Sequence, residues 1–317
     1  MSMQRQKENT AMLSIISNSS LVVLKLIVGF MTGAVSIISE AVHSAVDLMA
    51  SGIAYLAVKK AGRPPDENHA YGHGKIENLS AAIEAVLIIV AALWIAYEAV
   101  DKLRLSQQPE MLEWGIGLML ISIIVNYIVS GRLMKVAKET ESQALEADAL
   151  HLRADIWTSI AVLIGLSAIH FGGPAWIDPV IALAVAVIIF RAGYRMTIKS
   201  FAELIDIALP QEEEAKIVRI INSHPEIISF SRLRTRRSGS QRYIDVSLIF
   251  HPLTSLEKAH VITHALELQL ESAFGKCDII IHMEPCDGTN RSCDVREICG
   301  KKADERCCME EQMTGGR

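Results

Sequence analysis

The sequence predicts an α-helical membrane protein: six spans followed by a small layered α+β domain. Three observations carry that expectation. Half of the 317 residues are hydrophobic and the mean hydropathy is +0.29, too apolar for an ordinary soluble chain. The apolar residues concentrate before about position 200, in stretches of roughly 20 residues, the length that crosses a bilayer core. Beyond that point charged runs such as QEEEAKIVRI take over and the hydrophobic period changes.

The first ten residues, MSMQRQKENT, are polar and lack a small-residue cleavage site, so the first apolar segment reads as a retained span rather than a signal peptide. Spans are expected at about 11–33, 36–58, 79–101, 112–134, 147–170 and 178–200. The second and fifth are the least apolar, as suits helices that face inward onto a site. Gly29, Gly33, Gly52 and Gly165 permit close helix packing in lipid. Lys and Arg fall on one side: Arg5 and Lys7, then Lys59, Lys60, Arg63 and Lys75, then Arg132, Lys135 and Lys138, then Arg191, Arg195 and Lys199. The turns MTGAVS and HFGGPAWID have none, and Lys102 with Arg104 is a weak counter-signal. The balance predicts a multi-pass protein of the inner or plasma membrane with both termini in the cytoplasm. The expected divisions are a cytoplasmic N-terminus (1–10), a transmembrane domain (11–206), a cytoplasmic domain (207–286) and a flexible Cys-rich tail (287–317).

In the cytoplasmic domain, 210–223 read as an amphipathic helix opened by Pro210. Strands follow at 227–236 and 241–250 around RSGSQ, with clean alternation in YIDVSLIF. A helix at 255–273 and a last strand in CDIIIHME complete an αββαβ order. The basic run RLRTRRSGSQR reads as a solvated hairpin, and a net charge of −5 gives no case for nucleic-acid binding.

Within the spans, His43 and Asp47 form one i, i+4 pair and His151 and Asp155 form another. On helices each pair shares a face, so two such helices can bring two imidazoles and two carboxylates to one point. Four N/O donors in tetrahedral reach suit Zn²⁺, Cd²⁺ or Co²⁺, with Fe²⁺ still open, whereas Mn²⁺ and Mg²⁺ prefer oxygen-rich octahedra. The bland alternative is buried polar residues that tie helices together. Binding needs neutral imidazole and ionised carboxylate, so it releases protons, and this offers H⁺ as a counter-ion. Asn18, Ser39 and Glu40 lie near the same level, and Glu146 and Asp148 read as interfacial residues at the start of the fifth span. In the loop after span two, Asp66, His69 and His73 have plausible metal-ligand spacing, or alternatively serve only to shape a turn.

These motifs resemble the cation diffusion facilitator family of divalent-metal transporters, zinc type. The resemblance runs from about residue 11 to residue 286 and rests on HSAVD, PPDENHAYGHGKIENL, HLRAD and IIIHMEPC in the expected order. It implies a homodimer in the lipid bilayer that exports Zn²⁺ in exchange for protons, and a ferredoxin-like cytoplasmic domain. It implies a transport site at His43, Asp47, His151 and Asp155, and a second zinc site at Asp66, His69 and His73. It implies a charge pair, Lys75 and Asp206, near the dimer interface. His260, His282 and Glu284 match part of a cytoplasmic two-metal site, but Ser231 and Ser247 stand where His is expected. The competing class is a membrane-anchored metal sensor or scaffold; an intramembrane metalloprotease would need an H-E-x-x-H helix, which is absent. Five of the six cysteines, Cys286, Cys293, Cys299, Cys307 and Cys308, crowd the C-terminal end, where a cytoplasmic setting disfavours disulfides and weak capture of soft metals is the expected use.

Overall fold

A computed structural model describes residues 3–32, 35–105, 113–170, 174 and 176–286. The Cys-rich tail and the side chains of Ser39 and Glu40 lie outside the described residues. The chain divides into two compact units at the Ile205/Asp206 junction.

The first unit is a bundle of six long helices: α1 (Met3–Thr32), α2 (Val35–Ala61), α3 (Lys75–Leu105), α4 (Glu113–Thr140), α5 (Gln143–His170) and α6 (Ile177–Leu204). Among the described residues, α1, α2, α3, α4 and α6 contain segments long and apolar enough to cross a membrane. Helix α5 carries Glu146, Asp148, Arg153 and Asp155 in its first half and an apolar run in its second. Outward faces carry bare aromatic and aliphatic side chains, with Phe30 74%, Trp94 68% and Val187 68% exposed. Surface of that kind is stable against lipid and costly in water.

The interior is packed from small and branched residues. Val58, Leu133, Leu145 and Leu152 are buried where α2, α4 and α5 meet α1 at Ala11, and Ile88 and Ala92 of α3 pack on Ile189 of α6. Gly193 sets the close α3–α6 approach. A Cβ there would lie 3.0 Å from Ile88 Cγ2 and Ile89 Cγ1 and 3.2 Å from the Ala85 carbonyl oxygen. Helices α4 and α5 are joined by only Glu141 and Ser142. Glu141 turns the chain at φ 52°, and the Ser142 N–H donates to the Ala137 carbonyl at 3.0 Å.

One end of the bundle is fastened by buried polar groups. Lys7 Nζ donates to Glu77 Oε1 at 2.9 Å, and the Ser142 hydroxyl donates to the other Glu77 oxygen. Asn78 Nδ2 donates to Gln143 Oε1 at 2.9 Å and to Glu203 Oε2 at 2.6 Å. The residues expected to form a polar N-terminal segment are therefore the first turns of α1. The reason is Lys7, which is only 3% exposed and needs its acidic partner on α3.

The second unit runs α7 (Gln211–Asn222), β1 (Ile227–Ser238), β2 (Gln241–Phe250), α8 (Leu256–Phe274) and β3 (Cys277–Pro285), in the expected αββαβ order. Pro210 precedes α7, whose first turn carries Glu212, Glu213 and Glu214, the charge a helix N-terminus favours. Ser255 Oγ caps α8 by accepting from the Lys258 N–H, and Gly275 at φ 77° ends it. The strands lie in the order β1-β2-β3, with β3 parallel to β2 after the α8 crossover. Ile244, Val246, Leu248 and Phe250 of the central strand pack against Ile217 and Ile221 of α7 and Leu266 and Leu270 of α8. Part of the hairpin's basic charge is paired with α7. Arg237 and Arg242 both donate to Glu213, at 2.5 and 2.7 Å, and Arg236 lies 4.5 Å over the Tyr243 ring. Cys286 is disulfide-bonded, against the expectation of reduced cysteines.

Candidate metal-cation site

Helices α2 and α5 bring the two i, i+4 pairs together. His43, Asp47 and Asp155 each offer one ligand atom, all within 4.8 Å of one another. His151 is attached through a neighbour: its Nε2 lies 3.1 Å from Asp47 Oδ1, while its buried Nδ1 has no hydrogen-bond partner among the described residues. Three of the four expected residues thus form a close trio, and the fourth is held on one of its carboxylates. This trio faces a cavity of about 30 Å³ that Asn18, Lys25, Ser44 and Asn126 also line. Lys25 is 6% exposed and donates to Ser44 Oγ at 2.7 Å. A lone lysine in the middle of an otherwise apolar first span was the signal for it in the sequence.

One turn away, Asp148 is fully buried rather than interfacial. It lies three residues before His151, so it shares the inward face of α5, where Ser51 Oγ donates to its Oδ1 at 3.0 Å. Asn18 Nδ2 donates to the same Ser51 oxygen at 2.8 Å, and Ser14 Oγ lies 3.1 Å from it. Glu84 of α3 is also fully buried and was not anticipated; Ser80 donates to its Oε1 at 3.4 Å. Glu146 alone behaves as an interfacial residue, paired with Lys199 at 2.6 Å.

The loop between α2 and α3 builds a second cluster. Asp66, His69 and His73 also have their ligand atoms within 4.8 Å of one another. Asp66 Oδ1 accepts from the backbone N–H groups of Asn68 and His69, at 3.0 and 2.7 Å, and lies 3.2 Å from His69 Nδ1. Its Oδ2 lies 3.2 Å from His73 Nε2. Turn shaping and metal-ligand geometry therefore coexist in the same carboxylate. The backbone hydrogen bond from His69, helped by the one from Asn68, lowers the Asp66 pKa and keeps the group ionised. His73 is buried, and its Nδ1 is unpartnered among the described residues.

The other expected residues are more scattered. His282 Nε2 and Glu284 Oε1 on β3 are 3.6 Å apart, and Ser247 lies opposite His282 in the β2–β3 register. His260, on α8, stacks at 6.3 Å on His264 instead, and the trio His260, His282 and Glu284 does not converge among the described residues. Lys75 Nζ donates to the Leu204 carbonyl at 3.1 Å, and Asp206 accepts from Arg236 at 3.3 Å.

A helical membrane bundle with a His/Asp cluster between two of its helices is suited to handling divalent metal cations. Comparison with known proteins gives that class a family. Residues 11–205 match the cation efflux transmembrane domain, and residues 209–286 match the cation efflux protein cytoplasmic domain. The chain belongs to the cation efflux family, whose members are membrane transporters of metal cations and not enzymes. It is similar to the cation-efflux pump FieF of Yersinia pestis (strain Pestoides F), 34% identical over 268 residues that cover 84% of this chain and 89% of the relative. The FieF of Yersinia pseudotuberculosis serotype O:3 (strain YPIII) gives the same figures. Among solved structures, the Zn form of CzrB aligns over 26% of this chain and 97% of its own, with 30% identity and a TM-score of 0.24.

Proposed function

We propose that this chain exports Zn²⁺ from the cytoplasm in exchange for protons, as a homodimer in the inner or plasma membrane with both termini cytoplasmic. The observation that carries the reading is the convergence of His43, Asp47 and Asp155, with His151 on Asp47, inside a helical membrane bundle. Mixed imidazole and carboxylate donors favour zinc-type cations over Mn²⁺ or Mg²⁺. Helix α5 acts as the fifth span, its polar half packed against α2, α3, α4 and α6 with Asp148, His151 and Asp155 facing the bundle. Asp66, His69 and His73 form a second zinc site of the loop. In the cytoplasmic domain His282 and Glu284 stand close enough to share an ion, and His260 stands apart from them.

The chemistry of exchange follows from the ligands. Zinc at Asp47 competes with the His151 contact to the same carboxylate, so metal entry rearranges that pair. Any proton held on the imidazoles or carboxylates must leave before all donors can bind. When the site faces the side of higher proton concentration, the reverse exchange releases the metal. Alternating exposure of one set of donors then couples the two ions.

The test is Zn²⁺ flux in proteoliposomes under an imposed pH gradient. Wild-type protein moves Zn²⁺ against the direction of proton flow. Asp47→Ala and Asp155→Ala abolish flux while the protein still inserts and elutes as a dimer. Zn²⁺ flux retained in either variant, or zinc binding by the wild type with no flux, overturns the assignment.

A further inference from the structure

We propose that Lys25 is a tethered competitor of the transported cation: its ammonium shares the field of Asp47 and Asp155 when the site is empty and is displaced when the divalent ion enters. This rests on the reading of His43, Asp47 and Asp155 as the transport site. Lys25 is in the middle of α1, 6% exposed, with Nζ 2.7 Å from Ser44 Oγ. Ser44 follows His43 and precedes Asp47 by three residues, so it shares their stretch of α2. Lys25 lines the same cavity of about 30 Å³ as His43, Asp47 and Asp155, a space that holds about one water-sized occupant.

A lysine at membrane depth is costly and is retained where it meets opposite charge. A role limited to joining α1 to α2 through Ser44 would need only a neutral donor. The compact ammonium on a flexible four-carbon stem also suits withdrawal. The charge count explains the benefit. Two ionised carboxylates with one ammonium leave a net single negative charge, and a divalent ion makes it a single positive one. Without the lysine, the same ion would neutralise the carboxylates fully and leave slowly. Lys25 therefore lowers affinity and raises turnover, and it gives the empty carrier an internal cation with which to return.

The experiment compares Lys25→Met, Lys25→Gln and Lys25→Arg in the full-length protein, titrated with Zn²⁺ at fixed pH in an Asp66→Ala background so that the loop does not contribute. Efflux kinetics are measured in parallel in proteoliposomes. The neutral variants are expected to bind Zn²⁺ about tenfold tighter, with KM and kcat both reduced, while Lys25→Arg keeps near wild-type affinity. Unchanged or weaker binding in the neutral variants overturns the proposal. So does failure of both to insert as folded dimers while Lys25→Arg does, because the charge would then serve assembly. Asp155→Asn is run alongside. If it binds Zn²⁺ as well as wild type, the transport-site reading falls; if it loses Zn²⁺ and Lys25→Met behaves as wild type, only the lysine proposal falls.

Discussion

Ser51 shows how much a single hydroxyl can carry in a bundle that excludes water. It donates to Asp148, accepts from Asn18 and lies against Ser14, so three helices share one oxygen. Ser51→Ala strands the Asn18 amide and removes one of the hydrogen bonds to Asp148. The expected cost is about 1–3 kcal/mol, read as a lower thermal midpoint in detergent. At the loop, His73→Ala removes a buried ring that faces Asp66. Isothermal titration is expected to lose one class of Zn²⁺ binding while the membrane class remains. The His/Asp pairs of the membrane site and the loop trio were legible in the sequence because their spacing reports a shared face or a short loop. Asp148, Glu84 and Lys25 were harder to judge. For Asp148 and Glu84, a charged residue near the end of a span is normally interfacial, and only the packing of a third helix shows that it is enclosed; Lys25 sits mid-span, but no pattern in its own helix shows what it faces.

At the scale of elements, the bundle depends on two kinds of contact. Gly193 lets α6 approach α3 closely, and Gly193→Leu drives a side chain into Ile88, Ile89 and the α3 backbone. Overpacking of this kind costs about 1–3 kcal/mol, and the variant is expected to show a reduced thermal midpoint and a lower yield of inserted protein. The second kind is the buried pair of Lys7 and Glu77. Lys7→Met leaves a carboxylate enclosed without its cation, a loss of about 3–5 kcal/mol. Adding Glu77→Gln to Lys7→Met recovers part of that loss, and a double variant no more stable than Lys7→Met alone would show that the pair's charge does not matter. This fastening was not legible in the sequence, where a polar N-terminus looks like a solvated leader. Its partners lie 70 and 135 residues away in the chain, at Glu77 and Ser142.

At the scale of the whole molecule, the two units answer to different solvents. The bundle shows lipid-compatible surface, whereas the second unit is stabilised by a core between helices and sheet and by ion pairs around Glu213. Burial pushes the Glu213 pKa up, but the Arg242 hydrogen bond and the charges of Arg237 and Arg242 outweigh it, so the group titrates below its ordinary 4.5. A lowered folded pKa means that this stabilisation is fully present above about 4.5 and is lost as pH falls through the folded value. Hydrogen exchange on the full chain is expected to show β1–β2 amides losing protection below that point, and Glu213→Gln should flatten this dependence while weakening protection at neutral pH. The αββαβ order was legible because alternation, Pro210 and the hairpin turn mark each boundary locally. The fifth helix was legible as a span at 147–170, but not the neighbours that enclose its polar half, since no single-segment pattern describes them.

The Glu141–Ser142 connection has a consequence for depth. Ser142 is tied to the α4 carbonyl of Ala137 and to Glu77 of α3, so the first residue of α5 starts from a fixed mark. At about 1.5 Å per residue, His151 and Asp155 stand roughly 12 and 18 Å from Gln143 along the axis. One extra residue in that turn would lift both donors and rotate them by about 100°, out of step with His43 and Asp47. This two-residue link thus works as a ruler, and the chain should tolerate insertion there far less than in the longer loop that follows α2.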